Sequence, residues 1–271
     1  MINSDFHVHS TYCDGKLTLE ETAQTAIEKG MKAVGFSGHS HTPFDESYCM
    51  STEGTKKYME NVRSLKKQMD GRLEIYLGLE YDRFSDADNL DEFDYIIGSV
   101  HYVLKDGEYL PVDETEEMFM DNINKFYGGD IYAYCEDYFK EVASFALNPF
   151  VDIIGHIDLV TKFNEGGKLS DTKNERYTAA YNDALEKLAV SEKILEINTG
   201  AISRGYRKDP YPEAEILVRW HELGGKIIFS GDAHSGEGLC FSFDKARNLA
   251  IKCGYEKVMT FKDGKFIEIF V

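Results

Sequence analysis

Six of the eight histidines in this 271-residue chain stand at or just beyond the ends of short apolar runs. Ser4-Asp5-Phe6 leads into His7 and His9, Ala33–Phe36 into His39, Tyr95–Val100 into His101, Val151–Gly155 into His156, and Lys226–Gly231 into Asp232 and His234. Leu73–Leu79 stops at Glu80. Neutral imidazole and carboxylate are the donors that divalent zinc, manganese and iron accept. His7 and His9 are two residues apart, so a strand points both rings to one side. The pattern reads as a multinuclear metalloenzyme, with His7, His9, His39, Glu80, His101, His156, Asp232 and His234 as metal ligands.

Residues so far apart in sequence meet only if the fold gathers strand ends, and a barrel of parallel strands does this at its carboxyl-terminal face. The rest of the pattern agrees with such a barrel. Amphipathic segments over Leu17–Lys29, Thr55–Met69, Glu114–Tyr127, Tyr132–Leu147, Asp171–Val190, Pro212–Leu223 and Phe243–Cys253 alternate with the apolar runs. That alternation predicts an α/β fold with a parallel sheet, a distorted (β/α)7 TIM-like barrel whose metal site lies at the C-terminal ends of the strands. Lys265–Val271 reads as an edge or closing strand. Residues 1–271 suit a single domain.

Composition narrows the function classes. The net charge of −18 argues against a nucleic-acid partner, because a binder of long polyanions carries a basic patch. No run of eighteen apolar residues occurs, so no membrane span is expected. The start has no basic segment followed by an apolar one, and the five cysteines are scattered without a CxxC pair. The expected setting is the cytoplasm. Oligomeric state is not legible here.

His7-Val8-His9, Glu80, His101, His156 and Gly231-Asp232-Ala233-His234 together resemble the polymerase and histidinol phosphatase (PHP) family of metal-dependent phosphoesterases. Length and motif order are similar to the stand-alone histidinol-phosphate phosphatases of that family. The resemblance implies two to three divalent ions (Zn, Mn or Fe). His7, His9, Glu80 and Asp232 would hold one, Glu80 would bridge to a second held by His101 and His156, and His39 and His234 would hold a third. Asp14 is either a further ligand of the third ion or the first residue of a turn with Gly15. Amidohydrolases also open with HxH, but here no Lys ends a core strand, and Glu80 stands where a bridging oxygen is wanted.

The implied reaction is hydrolysis of L-histidinol phosphate, a small phosphorylated substrate, in histidine biosynthesis. Asp232 is the candidate to position or deprotonate the nucleophile. His41 reads as a proton donor to the leaving group, a substrate contact or a loop residue. Lys162, where the family more usually has Arg, and Arg204 are the expected phosphate-binding cations, with Arg207 and Lys208 as fallbacks. Asp82, Asp158 and Glu237 are candidates to pair with the substrate amine, and Tyr81, Phe84 and Tyr102 to line an imidazole pocket. Two alternatives stay open: a phosphatase or phosphodiesterase for nucleotides or oligonucleotides, and a non-catalytic metal-binding domain.

Overall fold

The computed structural model describes residues 2–271. In chain order the elements are β1 (Ser4–Val8), α1 (Leu19–Glu28), β2 (Ala33–Phe36), α2 (Thr52–Gln68), β3 (Glu74–Asp82), β4 (Tyr95–Ser99), β5 (Tyr102–Lys105), β6 (Glu108–Pro111), α3 (Glu116–Tyr127), α4 (Ile131–Ser144), β7 (Ile153–Ile154), α5 (Glu175–Val190), β8 (Ile194–Asn198), α6 (Gly200–Ser203), α7 (Ala214–Glu222), β9 (Lys226–Ser230), α8 (Phe243–Lys252), β10 (Lys257–Lys262) and β11 (Lys265–Phe270). The seven expected helices are present, with ends shifted by a few residues.

Seven strands, β1-β2-β3-β4-β7-β8-β9, run parallel in one curled sheet. At its carboxyl end the sheet closes on itself. Val8 bridges Ala233, His9 N donates to Ala233 O at 2.9 Å, and Ala233 N donates to His7 O at 2.9 Å. β10 joins β9 through Met259 and Ile228, and β11 lies antiparallel on β10. The final strand is therefore a sheet edge, not a closing strand. β5 and β6 form a separate antiparallel hairpin, which the apolar pattern does not announce.

Period-2 alternation divides the strands between two cores. Ala33, Tyr76, Ile97, Ile153, Ile194 and Ile228 face the interior, while Val34, Leu77, Ile96, Ile154, Leu195 and Ile227 pack under the helices. Burying both faces explains why these strands read as continuous apolar runs. Thr18 starts α1 with a capping box to Glu21, worth about 1 kcal/mol. Tyr95 fills the barrel interior and donates to Phe6 O at 2.6 Å. A Cβ at Gly78 would lie 2.3 Å from its ring, so only glycine admits the tyrosine.

β1 breaks the alternation. Its pairing with β2 shifts register between Asp5 and Val8, a bulge. That extra residue lets Phe6 join the interior core while His7, its neighbour, also turns inward.

Candidate metal centre

The inward residues at the carboxyl ends of the strands are not apolar. Glu80 is buried on β3 and lies at the middle of the cluster. Its Oε1 faces His156 Nε2 at 3.1 Å and His101 Nε2 at 3.6 Å. Its Oε2 faces His39 Nδ1 at 2.8 Å, His7 Nε2 at 3.2 Å and His9 Nε2 at 3.5 Å. The two oxygens of one carboxylate thus address two different sets of imidazoles.

Two strand-end turns complete the cluster. Asp232 follows β9 with φ +47°, a left-handed conformation rare outside glycine, and its carboxylate turns back over the barrel mouth. Oδ1 stands 3.4 Å from His9 Nε2. A Cβ at Gly200 would meet this carboxylate at 2.8 Å, so α6 approaches it only with glycine there. Asp14 lies 3.1 Å from His234 Nε2, 3.6 Å from His9 Nδ1 and 3.7 Å from His39 Nε2.

Donor atoms from three sets converge within 4.8 Å: His9, Asp14, His39 and His234; His7, His9 and Asp232; and His39, Glu80 and His101. His9 and His39 each belong to two sets, a sharing that the resemblance did not supply. His7 Nε2, His9 Nε2, His39 Nδ1 and Glu80 Oε2 are buried yet have no hydrogen-bond partner. Buried polar atoms are ordinarily paired, and leaving one unpaired costs about 1–3 kcal/mol. Four such atoms aimed at one another have the arrangement of ligands around cations, and their His/carboxylate chemistry fits divalent ions.

Without an ion the cluster balances its own charge: burial opposes protonation, but Glu196 and Glu80 raise His7 well above the ordinary imidazole value, and Glu80 and Asp14 raise His39. Burial opposes ionisation of Glu80, but His39, His7 and His101 outweigh it and hold the carboxyl well below its usual range. Asp232 is buried too, and Arg204 and His7 keep it well below the carboxylate range. Burial, with His234 and His39 beside it, lowers His9 to about 3, which leaves its ring neutral. Burial disfavours charge on His101, but the bond to Asp82 lifts it to about 9.

A cavity of 310 Å³ opens over the cluster, with Asp45, Tyr48, Tyr102, Asp113, Lys162 and Arg204 in its wall. The two predicted cations reach it already engaged. Lys162 Nζ donates to Asp113 O at 2.6 Å and to Asp113 Oδ2 at 3.1 Å. Arg204 donates through Nη1 to Asp232 O and through Nη2 to Asp232 Oδ2, both at 3.0 Å, and its Nη1 also lies 3.0 Å from His234 Nδ1.

Most other candidates lie away from the cavity, and of the readings open for His41 the geometry fits the loop residue. His41 turns away from the cavity: Nδ1 pairs with Asp86 at 2.7 Å and Nε2 with Glu46 at 3.4 Å, so it joins two loops. Arg207 is buried against Tyr211 and Thr161, and Lys208 is 85% exposed; neither lines the cavity. Asp82 and Asp158 are buried rather than placed at the mouth. Asp82 accepts from His101 Nδ1, and Asp158 accepts from Glu213 N. Glu237 is exposed outside the cavity. Of the named aromatics Tyr102 lines the wall, while Tyr81 and Phe84 do not; Tyr48 and Tyr206 take their place.

Two residues went unread in the sequence, Glu196 and Asn198 on β8. Glu196 Oε1 accepts from His7 Nδ1 at 2.7 Å. The available signal was a carboxylate inside the otherwise apolar Ile194-Leu195-Glu196-Ile197.

The PHP domain family model matches residues 5–200. The chain belongs to the PHP family. Asp232 and His234 lie beyond the matched residues and enter the cluster through β9. Among curated PHP relatives, a Deinococcus radiodurans protein named a probable histidinol-phosphatase is 30% identical over 257 residues, 89% of this chain and 90% of its own. The histidinol-phosphatase of Bacillus subtilis is 26% identical over 267 residues, covering 90% of this chain and 98% of that protein. The crystal structure of histidinol phosphate phosphatase from Lactococcus lactis, complexed with zinc, L-histidinol and phosphate, shares the fold. Its TM-score is 0.71, with 22% identity over 98% of this chain and 99% of that one. Among the described residues no helix is long and apolar enough to cross a membrane.

Proposed function

We propose that this PHP protein hydrolyses L-histidinol phosphate to L-histidinol and inorganic phosphate, as a step of histidine biosynthesis in the cytoplasm. The observation that carries the reading is the donor cluster itself. Imidazole and carboxylate atoms lie unpaired beneath a small cavity, with Lys162 and Arg204 on its wall. Relatives alike over nearly their full length carry the histidinol-phosphatase name, and one structural neighbour was solved with zinc, L-histidinol and phosphate.

His7, His9, Glu80 and Asp232 would hold one ion, Glu80 with His101 and His156 a second, and Asp14, His39 and His234 with His9 a third. Divalent ions held there would supply a nucleophile at neutral pH and neutralise charge on the phosphoryl group. The protein's own groups then position the reaction. Asp232, fixed by its bond from Arg204, would position the attacking oxygen or take its proton. Arg204, at the cavity wall beside Asp232 and His234, meets the phosphate oxygens from that side. Lys162 meets them from the other, exchanging its bond to Asp113 for one to phosphate.

The remaining wall suits a cationic tail. Asp45, Asp113 and Glu114 face the cavity beside Tyr48 and Tyr102, and a chain with net charge −18 attracts an amine. The deciding measurement is kcat/KM, metal-replete, for L-histidinol phosphate against mononucleotides and a phosphodiester. L-Histidinol phosphate should lead by at least an order of magnitude. A nucleotide or diester that wins would overturn the substrate while leaving the metal centre standing.

A further inference from the structure

β8 supplies none of the proposed metal ligands, yet it touches three of the residues that do. Glu196 is 1% exposed and uses both carboxylate oxygens. Oε1 accepts from His7 Nδ1 at 2.7 Å, and Oε2 accepts from the His156 backbone N at 3.1 Å and from Asn198 Nδ2 at 3.0 Å. Asn198 Nδ2 also lies 3.4 Å from Asp232 Oδ2, while its Oδ1 accepts from Gly200 N at 2.9 Å. We propose that Glu196, steadied by Asn198, is a positioning residue that fixes the tautomer of His7 and sets the affinity of the ion His7 shares with His9, Glu80 and Asp232. The inference rests on reading the cluster as a metal centre.

A neutral imidazole carries one N–H, and the partner of one nitrogen decides which lone pair is free. With Nδ1–H held by Glu196, the lone pair of His7 sits on Nε2, the buried and unpaired atom that faces Glu80. No other candidate ligand has so short a contact at Nδ1: His39 turns that atom to Glu80 itself at 2.8 Å, and His234 Nδ1 lies 3.0 Å from Asp232 O. His101 Nδ1 has Asp82 at 3.1 Å, and His9 Nδ1 has the Cys13 thiol at 3.5 Å. The His7–Glu196 contact, at 2.7 Å, is shorter than these, and a carboxylate there raises the donor strength of the ring.

An amide cannot take over the role. All the neighbours of Glu196 are donors. A glutamine that keeps its Oε1 on His156 N and Asn198 Nδ2 turns its NH2 to His7 Nδ1, which must then hold the lone pair and leave the N–H on Nε2, facing Glu80 instead of a cation.

The test uses the full chain stripped with a chelator and titrated with Zn2+ in competition with an indicator, with Co2+ visible absorption as a second readout. Glu196→Gln should weaken the tightest Zn2+ site roughly 10–100-fold. It should also shift the Co2+ spectrum while leaving the melting temperature of the metal-free protein close to wild type. Asn198→Ala should weaken binding less, in the same direction. Wild-type Zn2+ affinity and Co2+ spectrum in Glu196→Gln would overturn the proposal, as would a loss matched by a large fall in metal-free stability. If Glu196→Gln does not fold, unchanged affinity in Asn198→Ala overturns it instead. A wild-type chain that binds no Zn2+ tightly is a different failure, since it removes the metal centre itself.

Discussion

Nε2 of His7 and Oε2 of Glu80 lie 3.2 Å apart in the buried centre, and neither has a hydrogen-bond partner. Two acceptors this close repel unless a proton on His7 or a bound cation lies between them. Glu80→Gln keeps the shape and removes the charge that two ions would share. We expect measurable phosphatase turnover to disappear and bound metal to fall, with the circular dichroism spectrum unchanged. Near wild-type turnover with full metal content would refute the bridging role.

The Lys162–Asp113 pair predicts a phosphate effect separable from metal binding. Lys162→Ala removes a charge-assisted hydrogen bond worth roughly 1.5–3 kcal/mol. kcat/KM should fall about ten-fold or more, with metal content unchanged by elemental analysis. Arg204→Ala should lose as much and also loosen metal, because its guanidinium holds Asp232 and His234. Equal metal loss in both variants would show that Lys162 acts on the centre rather than on substrate.

Exposure predicts the order of metal loss. The Asp14 side chain is 34% exposed and His234 20%, against 0% for His7 and 1% for Glu80. A chelator time course followed by elemental analysis should release one ion well before the rest, and Asp14→Ala should remove that ion selectively. Full removal should lower the melting temperature. Free metal at 100 times Kd stabilises the folded state by about 2.7 kcal/mol, so an unchanged melting temperature would count against binding to the native fold.

Away from the centre, burial raises the Asp152 carboxyl above 3.8, although it accepts from Ile96 N at 2.9 Å. An acid whose folded pKa is raised favours the folded state only while protonated. As pH climbs past 3.8 the unfolded chain ionises first and the native state loses relative stability. Asp152→Asn, which keeps an acceptor, should therefore be more stable than wild type at pH 7, and the gap should close towards pH 4. Urea unfolding at both pH values measures it. A variant less stable at pH 7 would mean that the charge on Asp152 helps the fold, through Lys193.

The sequence by itself determined the donor types and the fold class. Both are written in local patterns: apolar runs bounded by His, Glu or Asp, and 3.6-residue periodicity between them. Those patterns reflect the burial of each strand on both faces and of each helix on one. The tertiary structure decided how the donors are shared. His9 serves two sets because the bulge in β1 and the left-handed turn at Asp232 bring strand ends from opposite termini together. Such approaches depend on register and closure, and local patterning carries neither. The same reason explains the misplaced polar residues. Asp82, Asp158 and His41 have the composition of mouth or catalytic groups. Whether a side chain points to the cavity, to a neighbouring imidazole or to another loop is settled by strand parity and packing across the barrel. Glu196 stood in plain view among isoleucines and leucines, but its meaning depended on His7, 189 residues away.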